Sequence, residues 1–175
     1  MNAVGIELRS APPVGRWLIP AHGGIAATSQ TFTVGRVYLL QFEVTAGCLL
    51  DGLSYVVGAA SAGNVIGGVI GPVTRTANTP AAGVVFAQSA STGQGTANAA
   101  QMLTWTATYA RPGIYYAALE GSDVTGTYMR LGNQVQAAGL GATYDRGGGF
   151  GALTDPTPAI TETGSALPGL RVRIG

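Results

Sequence analysis

The chain has no lysine, one cysteine and one histidine in 175 residues, and only 10% of its residues are charged. Each shortage excludes something. With Cys48 alone there is no intrachain disulfide framework and no cysteine-rich metal site; the residue reads as a small buried hydrophobe. His22, in a Gly/Ala-rich turn after Pro20, is the one imidazole that a Ser-His or Cys-His mechanism would have, and no nucleophile-elbow pattern surrounds any serine. The eight acidic residues are scattered without ligand spacing, so no metal and no other cofactor is expected. A net charge of +1 offers no basic excess for phosphate neutralisation, which argues against a nucleic-acid partner. No stretch approaches the ~20 continuous apolar residues of a membrane helix. The opening MNAVGIELRSAPP has an early acidic residue and no apolar core, so neither membrane insertion nor a secretory signal is expected, and the product reads as soluble. All nine basic residues are arginine, and Gly and Ala are abundant, a codon-usage mark of a GC-rich genome.

What is present points to strands. Hydrophobic residues make up 46% of the chain, too many for disorder at so low a net charge. Thr and Val recur at strand-like spacing with Gly and Pro between them. In RVYLLQFEV, Tyr38, Leu40, Phe42 and Val44 share one face, while Val37, Leu39, Gln41 and Glu43 share the other. Leu53, Tyr55 and Val57 repeat the alternation, as do Leu170, Val172 and Ile174 near the end. NVIGGVI reads as a strand whose central glycines mark close backbone approach or a bulge. In MLTWTATY the pattern places Leu103, Trp105, Ala107 and Tyr109 inward. About eight substantial strands and no convincing amphipathic helix result, as in a two-sheet antiparallel β-sandwich of the jelly-roll kind. Residues 1–15, with Pro12 and Pro13 and no sustained period, read as an extended N-terminal arm, and 16–175 as a single domain.

The segment YARPGIYYAALE, Tyr109 to Glu120, is the most informative. After the Pro-Gly turn, Ile114, Tyr116 and Ala118 fall on one face of a strand, and Tyr115, Ala117 and Leu119 on the other. Both faces are apolar, whereas an isolated sandwich covers only the inner face of each sheet. One of the two tyrosines is expected in the sandwich core, and the other against a neighbouring subunit or a covering loop.

Two patterns suggest chemistry and do not sustain it. Glu120 and Asp123 have the residue types of a glycosidase pair, but they flank a turn and read as its solvated residues. GGGFG at 147–151 lacks the following helix that a phosphate-cradling loop needs, since Ala-Leu-Thr-Asp-Pro comes next. No catalytic residue is assigned, and the chain does not read as an enzyme.

Several pieces together resemble a family of small bacteriophage virion proteins: tail-fibre, head-fibre and capsid-decoration modules with jelly-roll or related folds. They are Arg16-Trp17 followed by Pro and Gly-Gly; GRVYLLQFEV; Leu53-Ser54-Tyr55-Val56-Val57; NVIGGVI before a Pro-containing loop; and RPGIYYAAL. The resemblance runs from about residue 16 to 131 and finds no long fibre shaft. It implies a non-enzymatic structural protein on the virion surface, assembled in the host cytoplasm as a homotrimer. As capsid cement it would bind the major capsid protein or another virion protein. The arm, with Ile6, Leu8, Arg9, Pro12 and Pro13, would be its docking element, and Tyr115, Tyr116 and Leu119 its subunit interface. The alternative is an adhesion module of a tail or head fibre, binding a host-surface glycan through loops that carry Tyr128, Tyr144, Asp145 and Arg146.

Overall fold

Short apolar alternations interrupted by glycine and proline become extended strands, because a side-chain period of two can bury one face only in that conformation. A computed structural model of the chain describes residues 17–18, 25–73, 75–76, 79–80, 83–131, 141–146, 149–156, 160–162 and 167–175. The expected arm at 1–15, with Ile6, Leu8, Arg9, Pro12 and Pro13, lies outside the described residues, as does His22. The strands in chain order are β1 (Trp17–Leu18), β2 (Ile25–Thr31), β3 (Arg36–Val44), β4 (Cys48–Val56) and β5 (Asn64–Val73). There follow β6 (Arg75–Thr76), β7 (Thr79–Pro80), β8 (Val85–Gln88), β9 (Thr92–Gly93) and β10 (Ala100–Ala110). The last are β11 (Gly113–Gly121), β12 (Thr127–Leu131), β13 (Gly141–Asp145), β14 (Thr161–Glu162) and β15 (Arg171–Ile174).

The small sheet has four strands in the order β1-β15-β4-β10. The large sheet has seven, in the order β14-β13-β3-β11-β5-β8, with β9 also paired to β5. Every named ladder is antiparallel. The chain crosses between sheets from β3 to β4, back to β5, and again from β10 to β11.

Between the sheets lies the main core. Tyr38, Leu40 and Phe42 of β3 and Tyr115, Ala117 and Leu119 of β11 meet Leu50, Leu53 and Tyr55 of β4, Leu103 of β10, and Val172 and Ile174 of β15. The fold is therefore an all-β antiparallel sandwich, and the alternations read in β3, β4, β11 and β15 set its inner face. At one end the β2–β12 pair carries Tyr128 onto the rings of Phe32 and Tyr38, at centroid distances of 4.9 and 5.1 Å.

That packing explains Gly121, the last residue of β11. A Cβ there would overlap the Phe32 ring, which is itself wedged against Tyr128. Gly121→Ala is expected to cost about 2 kcal/mol through overpacking, read as a lowered urea midpoint with an unchanged slope.

The second half of β10 departs from its alternation. Its register to β4 slips between Thr104 and Thr108, a bulge that shifts the phase of everything after it. Leu103 remains buried and Trp105 packs on the core, but Ala107 is exposed, Tyr109 is 60% exposed, and Ala110 takes the buried position instead.

Candidate functional site

The large sheet buries its outer face as well as its inner one. Val37 and Leu39 of β3, Ile66 and Ile70 of β5, Tyr116 and Ala118 of β11, and Ala142 and Tyr144 of β13 form a second apolar cluster. Leu153 and Ile160 complete it, with Phe150 packed against them. Segment 149–156 thus lies across the sheet as a strap, held by polar bonds along its length. Leu153 N donates to Gln88 Oε1 at 2.7 Å, Val85 N donates to Asp155 Oδ1 at 2.7 Å, and the Tyr144 hydroxyl donates to the Thr154 carbonyl at 2.9 Å.

This arrangement corrects the expected subunit interface. Tyr115, Tyr116 and Leu119 are 1%, 2% and 0% exposed in the single chain, so they present no surface to another molecule. The second covering that the alternation in β11 demands comes from residues 149–156 and Ile160 of the same chain.

The expected receptor-contact loops also change. Tyr128 is fully buried in the ring cluster, with its phenol pushed well up by desolvation. Tyr144 is buried under the strap, and burial raises its phenol likewise. Asp145 is exposed and pairs with Arg36 at 3.0 Å. The Arg146 side chain turns inward, only 11% exposed, and its Nη1 donates to the Ala152 carbonyl at 2.7 Å. GLGATYD is therefore in large part strand β13, paired with β3 from Gly141↔Leu40 to Asp145↔Arg36.

Glu120 is the group that reading from sequence misplaced most. Asp123 is a turn residue as expected, accepting bonds from Thr125 N and Oγ1, both at 2.7 Å. Glu120 instead occupies the strap-covered face of β11 and is 0% exposed. Arg146 Nε stands 3.5 Å from its Oε1, and neither carboxylate oxygen has a hydrogen-bond partner. Desolvation outweighs the attraction of Arg146 and raises the carboxyl to about 7.

The outer face of the small sheet is different. Trp17 is 37% exposed, Leu49 42% and Tyr109 60%, and all three point away from the core. Tyr109 lies opposite Leu49 and leans over Gly47, where a Cβ would collide with its hydroxyl. Trp17, Arg173, Gly52 and Thr104 form one row across the four strands, a span of about 14 Å at ordinary strand spacing. Arg173 donates from Nε and Nη2 to the two oxygens of Asp51 at 2.7 and 2.8 Å, a bidentate pair that fixes both side chains on this face. The result is a broad surface of aromatic and aliphatic groups around a largely neutralised ion pair, suited to docking by contact.

Among the described residues, no three of His, Cys, Asp and Glu are grouped to hold a metal ion, and no helix is long and apolar enough to cross a membrane. Comparison with known proteins adds no relative. No family model, curated protein or solved structure matches the chain. The open face of the small sheet is the candidate functional site on geometry alone.

Proposed function

We propose that the chain is a non-enzymatic structural protein of a phage particle, a jelly-roll-like decoration protein that docks on the virion surface as a trimer. The observation that carries this reading is the unlike treatment of the two sheets. The chain covers the large sheet with its own strap and leaves Trp17, Leu49 and Tyr109 partly exposed on the small one. Tyr, Trp and Arg dominate the energetics of protein interfaces, and this face supplies Trp17, Tyr109, Arg171 and Arg173. The resemblance of residues 16–131 to virion surface modules supplies the partner, the major capsid protein or another shell component. In this reading the segment at 1–15 is a second docking element.

The test is attachment to particles. Trp17→Ala combined with Tyr109→Ala is expected to weaken binding to purified heads at least tenfold, about 1.4 kcal/mol or more, while leaving the unfolding midpoint nearly unchanged. Hundreds of copies per particle, seen by gold labelling on the head, are the expected stoichiometry of a decoration protein. Unaltered attachment of the double variant, or absence of the chain from heads, would overturn the reading.

A second reading rests on the same face. Exposed Trp17 and Tyr109 beside the fixed Asp51–Arg173 pair are also the equipment for stacking on and hydrogen-bonding to sugar rings. A tail location, a few to some tens of copies, and glycan-array binding lost in the double variant would select an adhesion module instead.

A further inference from the structure

We propose that Glu120 and Arg146 form a pH-sensitive latch that keeps segment 149–156 closed over the outer face of the large sheet in acid and loosens it in alkali. The proposal stands apart from the virion reading, because it concerns the opposite side of the molecule.

The geometry is that of a carboxyl shut in by a removable cover. Glu120 lies in a row across the sheet with Ile66 of β5 on one side, and the β3 register continues this row on the other to Val37, which is opposite Tyr144 of β13. Its side chain is wholly excluded from water and both oxygens lack hydrogen-bond partners. The cationic group facing it is Arg146, whose Nε is likewise buried without a hydrogen bond. From β13 the Tyr144 phenol also faces it, and from the strap Asp155 acts on that phenol. β5 and β3 contribute the apolar Ile66 and Val37 at this row.

Arg146 ties the two parts together. It sits at the end of β13 beside the carboxyl and holds the strap through the Ala152 carbonyl. The remaining polar anchors, Leu153 to Gln88, Val85 to Asp155 and Tyr144 to Thr154, are single hydrogen bonds that can release without breaking either sheet, and opening also gives up the apolar contacts of Leu153 and Phe150.

The direction follows from desolvation. In the closed form the carboxyl is raised to about 7, whereas with the strap open and water admitted it returns towards its ordinary 4.5. Closure is therefore fully favoured below 4.5, weakens as pH rises towards 7, and stays at its weaker level above that. An open strap uncovers Tyr116, Ala118, Val37, Leu39 and Ile66, an apolar surface on a molecule that otherwise hides it.

Native-state hydrogen exchange on the intact chain tests this, with rates corrected for intrinsic pH dependence. Between pH 5 and 8.5 the protection of the Leu153 and Val85 amides is expected to fall on the order of fifty- to a hundredfold, and at every pH to stay well below that of the β3–β11 ladder, which opens only with the whole fold. In Glu120→Gln the same two amides are expected to show no pH dependence. Unchanged protection in the wild type, or an equal fall in Glu120→Gln, would overturn the latch. Should that variant fail to fold, the ¹³C carboxyl resonance of Glu120 in the wild type decides. A midpoint near 7 supports the latch, and one near 4.5 overturns it.

Discussion

Replacing Tyr115 by alanine is expected to destabilise the chain by about 4 kcal/mol without changing its mass in solution. The side chain stacks on Phe42 at a centroid distance of 5.8 Å, meets Phe86 edge-on at 5.6 Å, and donates its hydroxyl to the Arg111 carbonyl at 2.9 Å. Removing it opens a large void at the centre of the sandwich, where neighbours on two sheets cannot collapse together. Tyr115→Phe, which keeps the ring and loses the bond, is expected to cost about 1 kcal/mol. Tyr116→Ala is expected to approach the loss at 115, because the strap buries that ring almost as completely. Denaturant titration and light scattering on the same samples separate the possibilities. A fall in mass at unchanged stability would show that these rings serve a subunit contact after all.

The second large effect is a stability that declines with pH. Glu120 is raised from 4.5 to about 7 on folding, so the folded chain binds its proton more tightly than the unfolded chain does. Stability from this group is fully present below 4.5 and is lost as pH rises through 7, a total of about 3 kcal/mol. The difference in unfolding free energy between wild type and Glu120→Gln, measured at pH 4.5 and pH 8, isolates that contribution. A difference independent of pH would refute it. Arg146→Met should deepen the loss at pH 8 by only about 1 kcal/mol from charge, because an unpartnered Glu120 can take up a proton rather than stay ionised.

How far the sequence revealed this molecule depended on whether local pattern and burial agreed. In β3 they did: Tyr38, Leu40 and Phe42 face the core, and the drift from Val37 and Leu39 to exposed Glu43 on the other face marks where the cover ends. In β11 the doubly apolar alternation showed that a cover exists, yet not what it is. Segment 149–156 has no period to betray it, since its burial arises from lying across another sheet and not from forming a strand of its own. β13 escaped notice because glycine dominates GLGATYDRGGGFG, although Ala142 and Tyr144 already had the right spacing to share a buried face. Tyr109 was assigned to the wrong side because a bulge is a feature of pairing, invisible in a single strand. Glu120, followed by Gly-Ser-Asp, looked like a turn residue, and only the arrival of Arg146 from a distant strand places it beside a cation. The open face was half legible: the outward positions of Arg171 and Arg173 were clear, while the Trp17 and Tyr109 surface depended on the order β1-β15-β4-β10.

That order has a consequence for biosynthesis. β15 runs over Arg171–Ile174 and fits between β1 and β4, with Gly175 N donating to the Leu49 carbonyl just beyond it. A ribosome emitting this chain therefore exposes β4 with one edge empty until residues 171–174 emerge, so this sheet closes only after synthesis has passed residue 174. During that interval the unpaired edge is a template for strands of neighbouring nascent chains. Slower elongation would lengthen that interval, so soluble yield is expected to rise when fewer chains are made at once, under weaker induction, and not when each chain is made more slowly.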